Sequence, residues 1–352
     1  MKQVPKKLFY WLLLPAVWGV CAWQGWAWWS WVSSPPQAAS AVEDPRISIK
    51  IPAGTTGQQI GQDLEAAGLI RSATAWNLWA RWQAFQDKLG GFQAGTYHLS
   101  PTESLEEIGK KIWDGDVVEV SFTIPEGWTI ADMATYFESQ GFFPAQEFLA
   151  TASQIPTAEY PWLPSNLPHL EGFLFPDTYQ LIGDQITPTA VIRQMLNGFE
   201  QQALPVYQGA ENIGQLTLLE WVTFASIVEK EAVVKEERGV IAGVFRNRLV
   251  QGMPLGADPT VEYGLGIRQT KEKPLTLTQV RTPSPYNTYL NPGLPPTAIG
   301  SPGLASLKAA LNPEKTEYLY FMARYDGTHI FSKTAAEHEA AIAEVERQLS
   351  LQ

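Results

Sequence analysis

The chain has 352 residues, of which 45% are apolar and 17% charged, and its formal net charge is −11. This length is sufficient for two or three domains with cores of their own. The acidic balance disfavours contact with a phosphate backbone, which excludes nucleic acid as a partner. The single cysteine, Cys21, excludes a disulfide within the chain. Because the four histidines are widely spaced and no zinc motif is present, we expect neither a metal nor another cofactor.

The first predicted element is a transmembrane helix. Leu8–Val32 is a run of 25 residues without a charge, and about 20 apolar residues span a bilayer. Lysines precede the run and acidic residues follow it, which predicts a cytoplasmic N-terminus and a body outside the plasma membrane. A cleaved signal peptide, with its cleavage site at Ala39–Ala41, is the alternative. We therefore assign residues 1–33 to a cytoplasmic tip with a single-pass anchor and residues 34–45 to a Pro/Ser/Ala linker that acts as a spacer.

A short pattern occurs twice in the part that follows. Ile51–Gly54 and Ile124–Gly127 lie 73 residues apart, and each continues into apolar positions with a spacing of four. Both copies predict a strand, a Pro-x-Gly turn and an amphipathic helix closed by glycine. Two copies are too few for a solenoid, for which three or more repeats are needed.

A tryptophan-rich helix is predicted between the two copies, over Ala73–Leu89. Trp76, Trp79 and Trp82 recur at every third position. Such a stripe is typical of core packing, although it also suits a platform on which sugars stack. With the flanking strands, this region predicts a compact βααβ unit of about 75 residues.

A loop rich in proline and aromatic residues follows, over Pro164–Tyr179. It places Glu171, Asp177 and Tyr179 among large apolar side chains. A loop of this kind suits the rim of a cleft, and a packed surface loop is the alternative interpretation.

Two glutamates, Glu229 and Glu231, lie near the end of an otherwise apolar run that begins at Trp221. Thr217 and Glu220 predict a capping box that starts the helix. Burying a carboxylate is costly, and apolar surroundings raise its pKa, so that it can hold a proton near neutral pH and donate it. Cleavage of a glycosidic bond requires this chemistry.

The two glutamates are predicted to point to different sides of that helix. At 100° per residue, Glu231 shares a face with Phe224 and Ile227, and Glu229 lies about 200° away. They therefore do not form a facing acid and nucleophile pair; one works in a cleft and the other makes a structural contact. The alternative is that both are ordinary last-turn glutamates paired with nearby lysine or arginine.

Further polar and aromatic candidates lie in the C-terminal third. Asp258 and Thr260 belong to a turn or helix start. The proline-interrupted loop Thr282–Pro296 presents Tyr286, Asn287 and Tyr289, and rings with amides are the usual surface for sugars. The remaining predicted elements are a helix at Glu236–Gln251, a helix from Ser301 to Leu311, a hairpin around Asp326–Gly327 and a terminal helix at Thr334–Leu349.

These segments together resemble a known family, the endolytic murein transglycosylases, or YceG-like family. The similarity extends from about Ile47 to near the C-terminus, and its specificity comes from the ordered set of motifs. The matching segments are Phe92–Tyr97 (FQAGTY), Leu170–Tyr179 (LEGFLFPDTY), Ala225–Ala232 (ASIVEKEA), Asp258–Gly264 (DPTVEYG), Pro285–Tyr289 (PYNTY) and Gly293–Pro296 (GLPP).

The resemblance implies an α+β fold with a small LysM-like subdomain at residues 46–121 and a catalytic domain at residues 122–352. It implies that Glu231 is the catalytic acid; Ala232 stands where the family often has a hydroxyl residue. The expected reaction cleaves the β-1,4 bond between N-acetylmuramic acid and N-acetylglucosamine within glycan strands and leaves 1,6-anhydro ends. The residues expected to bind the substrate are Glu171, Tyr179, Glu229, Asp258, Thr260, Tyr286, Asn287 and Tyr289.

The expected partners are peptidoglycan glycan strands, with peptidoglycan synthases as further candidates, and nascent strands are the expected substrate. Two other functions compete with this hypothesis. A muramidase would use water and leave reducing ends, whereas a non-catalytic anchor would bind the wall through its LysM-like unit.

Overall fold

The structure is a computed structural model that describes residues 6–38, 46–117, 119–182, 186–210, 216–270, 272–324 and 327–349. The chain divides into two compact units. The first comprises Met1–Val120 with Gln180–Gln185, and the second comprises Ser121–Tyr179 with Ile186–Gln352. The fold mixes helices and short strands, so the predicted α+β class is confirmed.

The first unit contains the predicted order of strand, helix, helix and strand. Its two strands, β1 and β2, pair antiparallel with Ile47 opposite Leu99 and Ile51 opposite Gly95. The elements are α1 (Lys6–Ser33), β1 (Ile47–Ile51), α2 (Gly57–Ala66), α3 (Ala73–Gln86), β2 (Gly95–Leu99) and α4 (Leu105–Asp114). This topology is the predicted βααβ unit, and its likeness to LysM domains stays a prediction.

The tryptophan stripe of α3 divides into a buried part and an exposed part. Trp76 and Trp79 are buried in the core of the unit. A Cβ on Gly109 would lie 2.4 Å from the Trp79 ring, so the glycine makes room for that indole. Trp82, however, is 60% exposed and stacks on Phe85. Core packing therefore explains the first two tryptophans and leaves the third at the surface.

The N-terminal run forms the helix α1, which has 28 residues. Within the described part of the chain, no helix reaches the length and apolar character that crossing a membrane demands. The predicted transmembrane helix is therefore not supported. Seven tryptophans occupy the predicted span, and each carries an indole N–H that makes it less apolar than an aliphatic residue.

The start of the predicted linker packs rather than acting as a spacer. Arg71 donates hydrogen bonds to the carbonyls of Pro35 and Pro36, and its guanidinium lies over the Trp31 ring. The backbone N–H of Gln37 donates to the Pro101 carbonyl. The rest of the linker and the alternative cleavage site, residues 39–45, lie outside the described residues.

The second unit is largely helical and carries the glutamate pair. A two-stranded sheet pairs β3 with β4, and a hairpin pairs β5 with β6. In chain order from the boundary, the elements are β3 (Glu119–Thr123), α5 (Ile130–Ser139), α6 (Ala145–Ala152), β4 (Thr178–Ile182), α7 (Pro188–Gly198), a π-helical turn (Phe199–Ala203), α8 (Leu204–Gln208), α9 (Leu218–Glu231), a 3₁₀ turn (Lys235–Glu237), α10 (Arg238–Val250), α11 (Asp258–Leu265), α12 (Leu277–Val280), α13 (Leu304–Leu311), β5 (Tyr320–Ala323), β6 (His329–Ser332) and α14 (Ala335–Leu349). The predicted hairpin is confirmed, although Asp326 lies outside the described residues.

The predicted repeat is present in both units. Gly54 and Gly127 have φ of 83° and 77°, a left-handed conformation that favours glycine. In each copy a threonine, Thr56 or Thr129, then caps the next helix. The repeated sequence thus encodes the same strand, turn and capped helix twice.

The helix α9 forms the centre of the second unit. Its capping box is the predicted one, with Thr217 accepting from the N–H of Glu220 and the Glu220 carboxylate accepting in return. Every residue from Trp221 to Val228 is buried. The helix predicted to begin at Ser301 begins at Leu304 instead, because the Ser301 backbone pairs with Gly127 and Trp128.

Candidate active site

Glu231 is the last residue of α9, and its carboxyl group is free. In the part of the chain that the structure describes, this carboxyl has no hydrogen bond and no ion pair, although the side chain is half-buried. Burial raises the pKa of Glu231 to about 8, and the nearby carboxylates of Asp258 and Glu262 act in the same direction. A carboxyl with this pKa keeps its proton at neutral pH and is able to donate it.

The two neighbouring acids come from one face of α11. Asp258 and Glu262 are four residues apart, which places their side chains together on the helix surface. Both carboxylates are engaged. Asp258 accepts hydrogen bonds from the Tyr289 hydroxyl at 2.7 Å and the Gln269 amide at 3.3 Å, and Glu262 accepts from the Gln269 backbone N–H. Glu231 is therefore the free acid of this group of three.

An arginine lies near Glu231 without forming an ion pair with it. Arg248 donates to the carbonyls of Leu319 and Leu255, each at 2.6 Å, and lies over the Tyr320 ring. Its charge opposes the rise in the pKa of Glu231 but does not outweigh burial. Glu231 therefore forms no ion pair with an arginine. A proton donor must be free of such a pair, because the pair would hold the carboxyl in its charged form.

Glu229 makes the structural contact predicted for one of the two glutamates. Its carboxylate accepts from Arg238 at 3.3 Å and from the Gly303 backbone N–H at 3.0 Å. Both partners of this ion pair are buried. The predicted divergence of the two glutamates is confirmed. A direct role of Glu229 in substrate binding stays a prediction.

A cavity of about 650 Å³ borders this region, and Glu171 lies in its wall. The Glu171 carboxyl is buried and accepts from the Ile130 N–H at 3.1 Å and the Tyr263 hydroxyl at 3.0 Å. Burial raises its pKa to about 8 despite these hydrogen bonds. The cavity is lined by Thr129, Ile130, Ala131, Asp132, Leu149, Ala152, Ser153, His169, Glu171, Lys230, Pro259, Glu262, Tyr263, Gly266, Ile267, Arg268, Tyr286 and Ile299.

The buried proton of Glu171 makes stability depend on pH. Between about pH 4.5 and 8 the unfolded chain has lost this proton while the folded chain keeps it, so the free energy of unfolding falls as pH rises through that window. We expect Glu171→Gln, which mimics the protonated acid, to flatten this fall by at most about 1.4 kcal/mol per pH unit. Urea unfolding across the window measures it, with the exposed Glu236→Gln as control. An unchanged slope in Glu171→Gln would contradict the assignment.

Buried hydrogen bonds hold the loop that carries the predicted sugar-binding residues. Thr260 and Thr288 are buried, and their hydroxyls lie 2.8 Å apart. Asn287 is fully buried and donates to the carbonyls of Val280 and Thr282. Thr260 and Asn287 thus shape the loop, and direct contact of either with a glycan stays a prediction.

Three tyrosines differ in position. Tyr286 lines the cavity, packs against Tyr263 and shares a hydrogen bond with Thr297. Tyr289 is 39% exposed and reaches Asp258. Tyr179 is buried, donates to the Phe175 carbonyl at 2.6 Å and packs against Phe122. The structure therefore brings Tyr286 and Tyr289 to the site and places Tyr179 in the core, where its predicted role in binding remains untested.

Lys230, Glu262 and Tyr263 line the cavity and were not singled out by the sequence. The sequence could have indicated Glu262, because its spacing of four from Asp258 predicts that the two acids share a helix face. Lys230 lies between the two glutamates, and no sequence pattern distinguishes it from a solvated lysine. Tyr263 contacts Glu171 across 92 residues of sequence, and no local pattern predicts such a contact.

Comparison with known proteins extends over most of the chain. Residues 49–344 match the sequence profile of the YceG-like family. A relative from Bacillus subtilis (strain 168), named endolytic murein transglycosylase, is 32% identical over 308 residues, which is 84% of this chain and 83% of the relative. A relative of the same name from Streptococcus pneumoniae serotype 2 (strain D39 / NCTC 7466) is 33% identical over 326 residues. That match covers 85% of this chain and 58% of the pneumococcal protein, so the chain spans little more than half of that protein's length.

A solved structure agrees with these relatives. The crystal structure of a yceG-like protein from Listeria monocytogenes superposes with a TM-score of 0.58 at 33% identity and covers 85% of this chain and 100% of that chain. Both the extent of the profile match and the identity to the relatives are sufficient to show the family. This chain belongs to the YceG-like family, as its ordered motifs predicted.

Proposed function

We propose that this protein is an endolytic lytic transglycosylase that cleaves the β-1,4 bond between N-acetylmuramic acid and N-acetylglucosamine within murein strands. The observation that carries the proposal is the free, half-buried carboxyl of Glu231, whose pKa is raised to about 8. The names of the relatives from Bacillus subtilis and Streptococcus pneumoniae support the same class of reaction.

In this mechanism Glu231 first acts as a general acid. It donates its proton to the glycosidic oxygen as the bond to C1 of the muramic acid residue breaks, and the departing sugar leaves as an alcohol. The C6 hydroxyl of the same muramic acid residue then bonds to C1, and its proton returns to the Glu231 carboxylate. The product is a 1,6-anhydro ring, and no water is consumed.

The state of the neighbouring acids favours a single proton donor. Hydrolases use two carboxyl groups, separated by roughly 5–9.5 Å, one of which acts as nucleophile or base. Here Asp258 and Glu262 accept hydrogen bonds from Tyr289 and Gln269, so they supply negative charge beside the developing oxocarbenium ion. Their hydrogen bonds hold them in place in this supporting role.

A water-using muramidase is the second candidate, because two acids do lie close enough to Glu231 to raise its pKa. Mass spectrometry of the fragments released from purified sacculi separates the two functions. Anhydro ends, lighter by one water than reducing ends, are the expected result. Reducing ends alone would overturn the transglycosylase proposal in favour of hydrolysis.

The charge of Asp258 sets part of the pH range over which the acid works. A general acid is active while protonated, so the rate falls as pH rises through the pKa of Glu231 near 8. We expect Asp258→Asn to lower that pKa and to move this alkaline limb to lower pH by on the order of one unit. The asparagine oxygen still accepts from Tyr289, which preserves the local contact.

The pH profile of kcat/KM checks this expectation. Asp177→Asn is a matched control, because Asp177 binds Gln202 and does not line the cavity. An alkaline limb that stays in place in Asp258→Asn would show that Asp258 does not influence the catalytic proton.

The proposal also includes the setting of the reaction. The substrate lies outside the cytoplasm, so we propose that the second unit acts there, on nascent strands beside the synthases that extend them, and that cleavage ends their elongation. Longer strands in cells that produce only the Glu231→Gln protein are the expected result. Unchanged strand lengths would contradict the role in termination.

A further inference from the structure

Lys230 contributes an unpaired cation to the 650 Å³ cavity. Its side chain is half-buried, and within the described residues its ammonium has no hydrogen bond and no ion pair. Gly300 leaves room for the side chain, since a Cβ there would lie 3.2 Å from Lys230 Cε and 2.6 Å from the Gly127 carbonyl oxygen. The absence of a side chain at Gly300 therefore allows the Lys230 side chain to lie in the cavity wall.

Three acids lie around Lys230, namely Asp132, Glu171 and Glu262, and each accepts hydrogen bonds from other groups. Asp132 accepts from the N–H and hydroxyl of Thr129 in a capping box. Glu171 accepts from Ile130 and Tyr263, and burial keeps it protonated at neutral pH. Burial lowers the pKa of Lys230, nearby acids oppose that shift, and none of the described residues forms an ion pair with the ammonium, so a ligand with a negative charge would stabilise the half-buried cation.

The lining of the cavity suits an anionic group with polar attachments. Arg268 is an exposed second cation in the same wall, and no described residue forms an ion pair with it. The polar residues Thr129, Ser153 and Tyr286 also line the space. Its volume falls within the range of about 300–1,000 Å³ usual for ligand pockets.

The cavity adjoins the reaction centre. Lys230 precedes Glu231 in α9, and Glu262 both lines the cavity and raises the pKa of Glu231. Lys230 does not act directly on that pKa, although it lowers the pKa of Glu262. A glycan with its scissile bond at Glu231 therefore has its substituents within reach of the cavity.

We propose that this cavity binds a carboxylate on the substituent of the muramic acid residue next to the scissile bond, and that Lys230 is the group that binds it. The inference rests on the proposed function, since muramic acid carries its carboxylates on the lactyl group. That group offers its own carboxylate where no peptide is attached, or the carboxylates of the attached peptide. Lys230 thereby sets specificity for murein over an uncharged glycan of the same linkage.

Cleavage kinetics with matched substrates test the inference. We would measure kcat/KM on soluble strands with peptides, on strands freed of peptides by an amidase, and on both after carbodiimide amidation of their carboxylates. We expect Lys230→Met to lower kcat/KM about ten- to hundredfold on the carboxylate substrate and less than about threefold on its amidated form. Lys230→Arg should restore part of the loss. Lys235→Met, which removes an exposed charge outside the cavity lining, is the control.

The two carboxylate sources give different results. A Lys230 effect that appears only after amidase treatment identifies the lactyl carboxylate, which that treatment creates. An effect on peptide-bearing strands that amidase treatment abolishes identifies the peptide carboxylates, and an effect on both kinds of strand shows that Lys230 binds either. Equal slowing of the carboxylate and amidated forms in Lys230→Met, or no slowing of any of the strands, overturns the inference.

A binding measurement separates this inference from the proposed function. Titration of a murein tetrasaccharide into Glu231→Gln protein, with and without Lys230→Met, reports the lysine contact without catalysis. Binding that depends on Lys230 while the wild type cleaves no strand refutes the proposed function alone. If the wild type cleaves strands and Lys230→Met leaves the binding unchanged, the inference alone is refuted.

Discussion

Replacing Glu231 by glutamine is expected to remove nearly all strand cleavage, by about 10²–10⁴-fold, because general acid catalysis contributes an effect of this size. The amide has the shape of the protonated acid but no proton to donate. Fold stability at neutral pH should not fall, because the Glu231 carboxyl has no hydrogen bond or ion pair within the described residues, and removal of an acid whose pKa is raised by folding favours the folded chain. Release of fragments from purified sacculi measures the loss, and thermal unfolding measures stability.

Two controls make that result specific. Glu236→Gln changes an exposed acid of the neighbouring 3₁₀ turn and should retain full activity. Glu229→Gln should retain activity per folded molecule, because Glu229 faces Arg238 and Gly303 instead of the acid cluster. Should Glu229→Gln abolish cleavage while Glu231→Gln retains it, the two roles are reversed.

Among the substitutions proposed for this protein, removal of the Arg238 charge is expected to lower the free energy of unfolding the most. The side chains of Arg238 and Glu229 are only 10% and 8% exposed, and Glu126 lies close enough to Glu229 for the two acids to repel. Arg238→Met leaves the Glu229 carboxylate buried beside Glu126, and the Gly303 N–H is then its one remaining hydrogen-bond donor among the described residues. Breaking a buried pair in this way costs about 3–5 kcal/mol.

Urea unfolding at pH 7 measures that cost. The double variant Arg238→Met with Glu229→Met removes both charges, and it should recover much of the lost free energy of unfolding, because no uncompensated charge remains. Activity per folded molecule should survive in both variants. A free energy of unfolding for Arg238→Met within about 0.5 kcal/mol of the wild type would show that the pair is not structural.

Local sequence rules predicted the part of the site that depends on one helix. The capping box at Thr217 and the rotation of 100° per residue were sufficient to separate Glu229 from Glu231, because helix geometry is set by neighbours in sequence. The repeated turns at Gly54 and Gly127 were predictable for the same reason. A helix cap requires a hydroxyl or carboxyl side chain and a left-handed turn favours glycine, so both can be recognised from the residue types alone.

Contacts between distant segments were not predictable. The group around Glu231 forms where α9 meets α11, and the hydrogen bond between Glu171 and Tyr263 spans 92 residues. The transmembrane prediction rested on a count of uncharged residues, and the described helices do not support it.

The buried hydrogen bonds of Asn287 and Thr288 have a consequence for affinity. They fix the segment that carries Tyr286 and Tyr289, the tyrosines predicted to contact a glycan. A binding surface that is already ordered loses little conformational entropy on association, so more of the contact energy remains as binding strength. Under the proposed function, discrimination among polysaccharides would then come from rigid shape, without a segment that must first fold around its ligand.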